Sequence, residues 1–113
     1  MASIDLSYSF VSTNANATNA VNVKASAGVL YVYDFGNNGA ADAYVKLYDS
    51  ATAPTTGSGT PKLVIYVPKG GRAQGNCNIG FTTGIGHAIT GGAANSDTTA
   101  VATSQVLVNL EYF

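Results

Sequence analysis

The sequence predicts an all-β fold: a two-sheet antiparallel β-sandwich of about seven or eight strands, with jelly-roll or immunoglobulin-like connectivity. Short apolar runs alternate with polar residues, and Gly, Pro, Asn and Thr fill the segments between them. Such alternation is typical of strands that bury one face. No stretch offers helix-forming residues over three turns. The 113 residues are expected to form one domain, residues 1–113, that buries about two-thirds of its surface without a metal or a disulfide.

The clearest strands are residues 43–49 and 62–67, joined by a long loop that contains two prolines and two glycines, residues 49–61. We expect the two strands to pair. Their aliphatic side chains fall on one face, which should lie in the core: Val45, Leu47, Leu63, Ile65 and Val67.

The opposite face of this pair is more aromatic than contact with water alone would favour. It carries Tyr44, Lys46, Tyr48 and Tyr66. Tyrosine is enriched where proteins meet, because it buries a large area and keeps a polar tip. We therefore predict that these four residues form an interface with another chain. The alternative is that the chain's own loops cover them.

Other strands follow from the same patterns. Residues 4–10 alternate, which places four side chains inward: Ile4, Leu6, Tyr8 and Phe10. Residues 20–24 form a short strand, and residues 29–35 lack a polar face, so both faces of that strand should be covered. Residues 83–90 and 105–113 complete the set of predicted strands.

Turn signals predict how the strands connect. Residues 37–39, Asn-Asn-Gly, contain the strongest short hairpin signal, and predict that residues 29–36 and 43–49 are adjacent antiparallel strands. Residues 72–80 are expected to be irregular. Residues 91–104 consist mostly of small residues and predict a second long loop.

The charge content limits the possible partners. Charged residues make up 10% of the chain, and the net charge is −1. A dispersed monomer ordinarily carries more charge, so we expect copies of the protein or a larger assembly to cover much of the surface. No basic cluster could neutralise phosphates, and no apolar run could cross a bilayer, so neither nucleic acid nor a membrane is a predicted partner. The first residues lack the features of a signal peptide, so folding in a cytoplasm is expected.

Three residues could carry chemistry, and each has a simpler structural interpretation. His87 lies between aliphatic residues with no acid nearby in sequence, which favours a buried or interface histidine over a catalytic one. Cys77 is the single cysteine and favours a free, inert thiol. Asp97 supplies one carboxylate, too few for calcium, and favours a capped turn. We therefore predict a non-enzymatic protein with no catalytic residue, metal site or cofactor.

Two segments carry more specific patterns. Residues 44–61 have the sequence YVKLYDSATAPTTGSGTP, and residues 81–101 have the sequence FTTGIGHAITGGAANSDTTAV. Together they resemble small structural proteins of tailed bacteriophages and prophages, with the resemblance extending over residues 28–113. His87 departs from the aliphatic residue expected in that pattern.

This resemblance implies a virion component. The first expectation is a capsid decoration (cement) protein that binds the major capsid protein on the capsid exterior, after assembly in the host cytoplasm. It would self-associate, and the local three-fold positions of shell lattices favour a trimer. The alternative is a subunit of the tail, baseplate or fibre, with glycan binding as one option and with tyrosines at loop tips. In either case the contacts could be made by the tyrosine face or by the two long loops, residues 49–61 and 91–104.

Overall fold

The computed structural model of the protein describes residues 6–15 and 18–113. Within these ranges the regular structure consists of eight strands and no helix. The strands are β1 (Ser7–Ser12), β2 (Val21–Lys24), β3 (Gly28–Asn37), β4 (Ala43–Asp49), β5 (Leu63–Val67), β6 (Arg72–Phe81), β7 (Ile85–Thr90) and β8 (Val106–Tyr112). They build two antiparallel sheets of four strands, which confirms the predicted two-sheet β-sandwich.

The strand order identifies the connectivity. One sheet has the order β1-β8-β3-β6, and the other has the order β2-β7-β4-β5. Thus β4 pairs with β5, β3 with β6, β2 with β7 and β1 with β8, as in one long antiparallel hairpin rolled into two sheets. This is the jelly-roll arrangement. The structure therefore selects the first of the two predicted topologies.

The core lies between the sheets and contains the aliphatic face of the β4–β5 pair. Val45 lies opposite Ile65, and Leu47 lies opposite Leu63, as predicted. The inward residues of the other strands close the core from both sides: Leu30, Phe35, Phe81, Ile85, Ile89, Val106, Val108 and Leu110. Burial of these side chains is the main stabilising contribution to the fold.

The inward face predicted for the first strand is wrong. Tyr8 and Phe10 point to solvent and are 72% and 57% exposed, whereas Val11 packs against the core. The pairing with β8 sets this orientation, because Val11 lies opposite the buried Val108. A shift of one residue exchanges the two faces of a strand. Two further residues were predicted to face inward. Ile4 lies outside the described residues, and Leu6 is half-buried just before β1.

The hairpin predicted at residues 37–39 is also wrong. β6 and β8 occupy both edges of β3, and β4 belongs to the other sheet. A tight hairpin of this type needs positive φ at both central residues, and neither Asn38 nor Gly39 has it. The Asn37 side chain instead donates hydrogen bonds to the carbonyls of Ala41 and Val67, both at 3.0 Å, which directs the chain from one sheet to the other.

Residues 72–80, predicted to be irregular, belong to β6, an edge strand of ten residues. Its side chains alternate between exposed and half-buried positions as far as residue 80. The outward positions are filled by small and polar residues, so the apolar signal is weak even though β6 pairs with β3 along most of its length.

Candidate assembly surface

The outer face of the β2-β7-β4-β5 sheet holds all four residues of the predicted interface. Tyr44 lies opposite Tyr66, and Lys46 lies opposite Val64. On the other side of β4, strand β7 contributes only small side chains to this face: Gly86, Ala88 and Thr90. A sheet face with large side chains on one strand and small ones on the next leaves a trough, and two loops of the same chain lie across it.

These loops, residues 50–62 and 91–104, pack on the sheet and on each other. Pro54 lies directly over β7: a Cβ added to Gly86 would come within 3.1 Å of the Pro54 ring. Gly57 approaches the other loop so closely that a Cβ would lie 2.6 Å from a Thr98 methyl group. The loops therefore form a cover over β7 and the adjoining part of β4.

The cover encloses two of the four predicted interface residues. Lys46 is completely buried, and its ammonium donates hydrogen bonds to the carbonyls of Ala94 (2.6 Å) and Asp97 (3.3 Å). Burial lowers the pKa of Lys46, and the Asp97 charge offsets part of this effect. Tyr48 is 7% exposed, and burial raises its pKa. While the loops stay in place, Lys46 has no exposed surface for another chain, and Tyr48 has very little.

The other two predicted residues remain accessible. The Tyr44 and Tyr66 rings contact each other with centroids 5.3 Å apart, and Tyr66 is 48% exposed. Val64 follows on the same outward side of β5 and is 40% exposed. The Tyr66 hydroxyl is hydrogen-bonded to Asp42, and partial burial together with this carboxylate raises the pKa of Tyr66. We call Tyr44, Val64 and Tyr66 the β5 patch.

Lys46 holds the 91–104 loop on the sheet through its two hydrogen bonds, so its replacement should destabilise the protein. Lys46→Met keeps a similar apolar stem but leaves the Ala94 and Asp97 carbonyls without their donor. Because a hydrogen bond to a charged group contributes about 1.5–3 kcal/mol, we expect a loss of stability of that order. Amide hydrogen exchange in residues 92–98 should become faster.

The matched control for this variant is Lys69→Met, which removes a lysine that is exposed on the same sheet's edge. It should leave both stability and exchange unchanged. Equal exchange rates in the Lys46→Met variant and the parent protein would show that the loop is held by other contacts.

His87 and Cys77 lie in positions that do not favour catalysis. His87 is fully buried between Leu47 and Val21 on the adjacent strands, and neither ring nitrogen has a hydrogen-bond partner among the described residues. Burial lowers its pKa to about 4. The Cys77 thiol is half-buried 3.4 Å from the Leu30 carbonyl, and burial raises its pKa, which disfavours the thiolate. Neither side chain presents a reactive group to a solvent-filled cleft.

The hydrogen bonds of the Asp97 side chain confirm the predicted capped turn. Its carboxylate accepts hydrogen bonds from the backbone N–H groups of Thr99 and Gly92, at 2.9 and 3.1 Å, and from the Thr99 hydroxyl at 3.2 Å. The hydrogen bond from the Thr99 backbone is the main reason that the pKa of Asp97 is lowered. Across the described ranges, no three His, Cys, Asp or Glu side chains come together as metal ligands, and no helix could cross a membrane.

A second pair of exposed aromatic residues, Tyr8 and Phe10 on the other sheet, was not predicted from the sequence. They line a groove of about 310 Å³ together with Val32 and Asn109. The apolar side chain of Val11 was the signal that could have revealed them. Val11 lies on the face of the strand opposite to Tyr8 and Phe10, so the aromatic residues must point outward if Val11 points inward.

Comparison with known proteins gives only distant structural likenesses. Neither a protein-family model nor a curated protein sequence matches the chain. A solved structure of the coat protein of Tobacco streak virus, in a C2 crystal form, has a TM-score of 0.36 and 10% sequence identity, covering 91% of this chain and 85% of that chain. The dimer of the same coat protein has a TM-score of 0.35 and 10% identity, covering 91% and 83%. The assignment of the fold rests on the strand order instead.

Proposed function

We propose that this protein is a structural component of a virion: a capsid decoration protein of the tailed-bacteriophage type that binds the major capsid protein on the outside of the shell. The β5 patch is the observation that carries this proposal. It stays open on a sheet face whose neighbouring part, over β7 and part of β4, is covered by the chain's own loops. An exposed apolar patch on a small soluble domain is typical of a protein–protein contact.

Two general features support a structural role. Jelly-roll sandwiches are frequent in viral capsids, although lectins and cupins also use them, so the fold by itself does not decide the function. The low content of charged residues, 10%, suits a surface that is covered in use. The β5 patch adds a specific place for the contact, at the end of an edge strand between Lys62 and Lys69.

The positions of the tyrosines favour decoration over a tail, baseplate or fibre subunit that binds glycans. That alternative predicts aromatic residues at loop tips. Tyr44 and Tyr66 lie instead directly opposite each other on paired strands, with their rings in contact at an angle of 36°. An enzyme would require a reactive group in a cleft, and the imidazole of His87 is enclosed in the core.

The mechanism would be an addition of contact area. A stable interface buries about 800 Å² on each partner, about one-seventh of the 5652 Å² surface of this domain. A copy that bridges two shell subunits would force expansion, pressure or heat to break these extra contacts. Self-association would extend the bridge over more subunits, as a trimer if the copies meet at three-fold lattice positions.

The proposal predicts a large effect of Tyr66→Lys on shell binding. The change introduces an ammonium at the centre of the β5 patch, and taking an ion out of water costs several kcal/mol even where a carboxylate such as Asp42 lies nearby. Binding to purified particles should weaken at least about a hundredfold, since about 1.4 kcal/mol corresponds to a factor of ten. The isolated domain should melt normally, because Tyr66 is half-exposed and outside the core. Particle occupancy by electron microscopy and thermal melting test both parts.

The matched control adds the same charge elsewhere. Thr103 is exposed on the 91–104 loop, and Thr103→Lys should keep full occupancy. Normal stability with full occupancy in the Tyr66→Lys variant would show that the β5 patch is not the contact. Lost occupancy in the Thr103→Lys variant would place the contact on the loops instead.

A further inference from the structure

β1 is an edge strand without the usual protection against pairing with another strand. The two sheets have four lateral edges, formed by β1 and β6 in one sheet and by β2 and β5 in the other. Natural edges are protected by charges, prolines, bulges or short length. Residues 6–12 contain neither a charge nor a proline. β1 also keeps an unbroken register with β8 over six residue pairs.

The other three edges carry such protection. β2 has only four residues, with a register shift before Lys24. β5 is bounded by Pro61-Lys62 on one side and by Pro68 on the other. β6 begins at Arg72 and has a break in its register with β3. Among the edges that the structure describes, β1 combines an unbroken register over six residue pairs with the absence of charge and proline from residues 6–12.

The hydrogen bonds show which residues face this open edge. Just beyond β1, the N–H of Thr13 donates to the Val106 carbonyl at 3.2 Å. Successive residues of an antiparallel strand direct their backbone groups to opposite sides. Ser7, Ser9 and Val11 therefore bond to β8 as Thr13 does. The residues that direct their N–H and C=O groups away from the sheet are Tyr8, Phe10 and Ser12.

The side chains at this edge suit a contact with another protein. Tyr8 and Phe10 lie on the outer face of β1 and line the same groove. An aromatic residue can bury about 150–250 Å². Because 72% of Tyr8 and 57% of Phe10 are still exposed, these two supply roughly 250 Å² of the about 800 Å² that a stable dimer needs on each partner. The backbone of β1 and the β2 edge would provide the rest. β2 lies on the same side of the sandwich, because β5 contacts β6 on the opposite side.

We propose that a second copy of this chain pairs with this edge, β1 against β1, about a two-fold axis at Phe10. This register places Phe10 opposite Phe10 and Tyr8 opposite Ser12, so all the outward backbone groups form hydrogen bonds, six in total. The β1-β8-β3-β6 sheets of the two copies then become one continuous sheet of eight strands. Residues 6–12 bring no charge to the contact between the two β1 strands.

The dimer leaves the β5 patch free, because that patch lies at the opposite lateral edge of each copy. The inference deepens the self-association in the proposed function by giving it two-fold geometry in place of three-fold. It does not depend on which protein the β5 patch contacts. The two proposals can therefore fail separately.

The first test measures the mass of the full chain by light scattering across a wide range of concentration. The parent protein should reach twice the 11.5 kDa of one chain. Phe10→Pro removes an N–H that points to the open edge and should give a monomer. Phe10→Thr keeps this N–H and should weaken the dimer less. Phe10→Lys should also give a monomer, and it tests the dimer contact if the proline variant does not fold. Tyr66→Lys should remain dimeric.

A parent protein that stays monomeric, or one whose mass is three times that of the chain, overturns the two-fold pairing. So does a dimer that survives in a folded Phe10→Lys variant.

A second test addresses the register by oxidative crosslinking in a Cys77→Ser background. Paired Phe10 residues would have Cα atoms about 5.5 Å apart, within the range of a disulfide. Phe10→Cys should then yield a covalent dimer. The matched variant Tyr8→Cys should not, because the two Tyr8 positions would be about 14 Å apart along the strands. Crosslinking through position 8 but not position 10 would overturn the proposed register.

Discussion

Leu47→Ala is expected to lower the free energy of unfolding by about 2–5 kcal/mol, the usual cost of a cavity in a packed core. Leu47 is completely buried at the centre of β4, with Leu63 opposite it on β5 and His87 opposite it on β7. Neighbours on both sides hold the site open, so little collapse can compensate for the lost side chain. Denaturant unfolding of the variant and the parent protein measures the difference.

The control for this change is Val64→Ala on the neighbouring strand. Val64 points outward, so its truncation should cost less than about 1 kcal/mol. Ile65→Ala should fall between the two, because Ile65 faces inward but is only partly buried. A nearly neutral Leu47→Ala combined with a costly Val64→Ala would mean that the inner and outer faces of the β4–β5 pair are exchanged.

The inner face of β4 and β5 could be predicted because one alternation on each strand was purely aliphatic. Val45 and Leu47 alternate with larger amphipathic side chains, so burial of only one face was consistent with the pattern. The first strand offered no such contrast. Tyr8 and Phe10 competed there with Val11, and the decision came from Val108 on β8, a partner nearly one hundred residues away. Local patterns contain no information on that partner.

The lack of information on distant partners also explains why only part of the predicted interface is accessible. Its four residues do share one face, as their alternation indicated. Which of them stay accessible depends on the loops that return over the sheet. Ala94 and Asp97 enclose Lys46 from about fifty residues away, and no local signal marks this contact. The small residues of β7 that make room for the loops, Gly86 and Ala88, were visible in the sequence and were the available clue.

Connectivity was the least predictable feature. Asn38-Gly39 has the composition of a tight hairpin, yet the chain needs a crossing between sheets at this point. Gln105, from the segment before β8, donates hydrogen bonds to the Ala41 carbonyl at 2.9 Å and to Asn37 at 3.3 Å, which stabilises the crossing. Tertiary hydrogen bonds of this kind override the preference of a short sequence for one turn type.

His87→Leu is expected to stabilise the protein and to remove most of its pH dependence between pH 6.5 and pH 4. Both ring nitrogens are buried, and neither has a hydrogen-bond partner within residues 6–15 and 18–113. An unsatisfied buried polar group costs about 1–3 kcal/mol. Leucine has a similar volume and suits the apolar neighbours Leu47 and Val21. We therefore expect a gain of about 1–3 kcal/mol at neutral pH, a net effect after some strain from repacking.

The pH effect has a definite sign. Burial lowers the pKa of His87 from 6.5 to about 4 in the folded protein. Between these values the unfolded chain binds a proton that the folded protein does not, so the stability of the parent protein falls as the pH falls. At about 1.4 kcal/mol for each pH unit, the loss approaches 3 kcal/mol near pH 4. Below that value, protonation of carboxylates with lowered pKa, such as Asp49, destabilises the parent and the variant alike.

The control His87→Gln separates the two causes, because glutamine is polar but does not titrate. Its stability should be flat from pH 6.5 to pH 4.5, without the gain that leucine gives at neutral pH. Urea unfolding across this range measures all three proteins. A flat profile for the parent protein would show that His87 is not buried in its neutral form. A loss of stability in the His87→Leu variant at neutral pH would show that the imidazole has a hydrogen-bonding partner. The histidine would then do more than fill the space between the sheets.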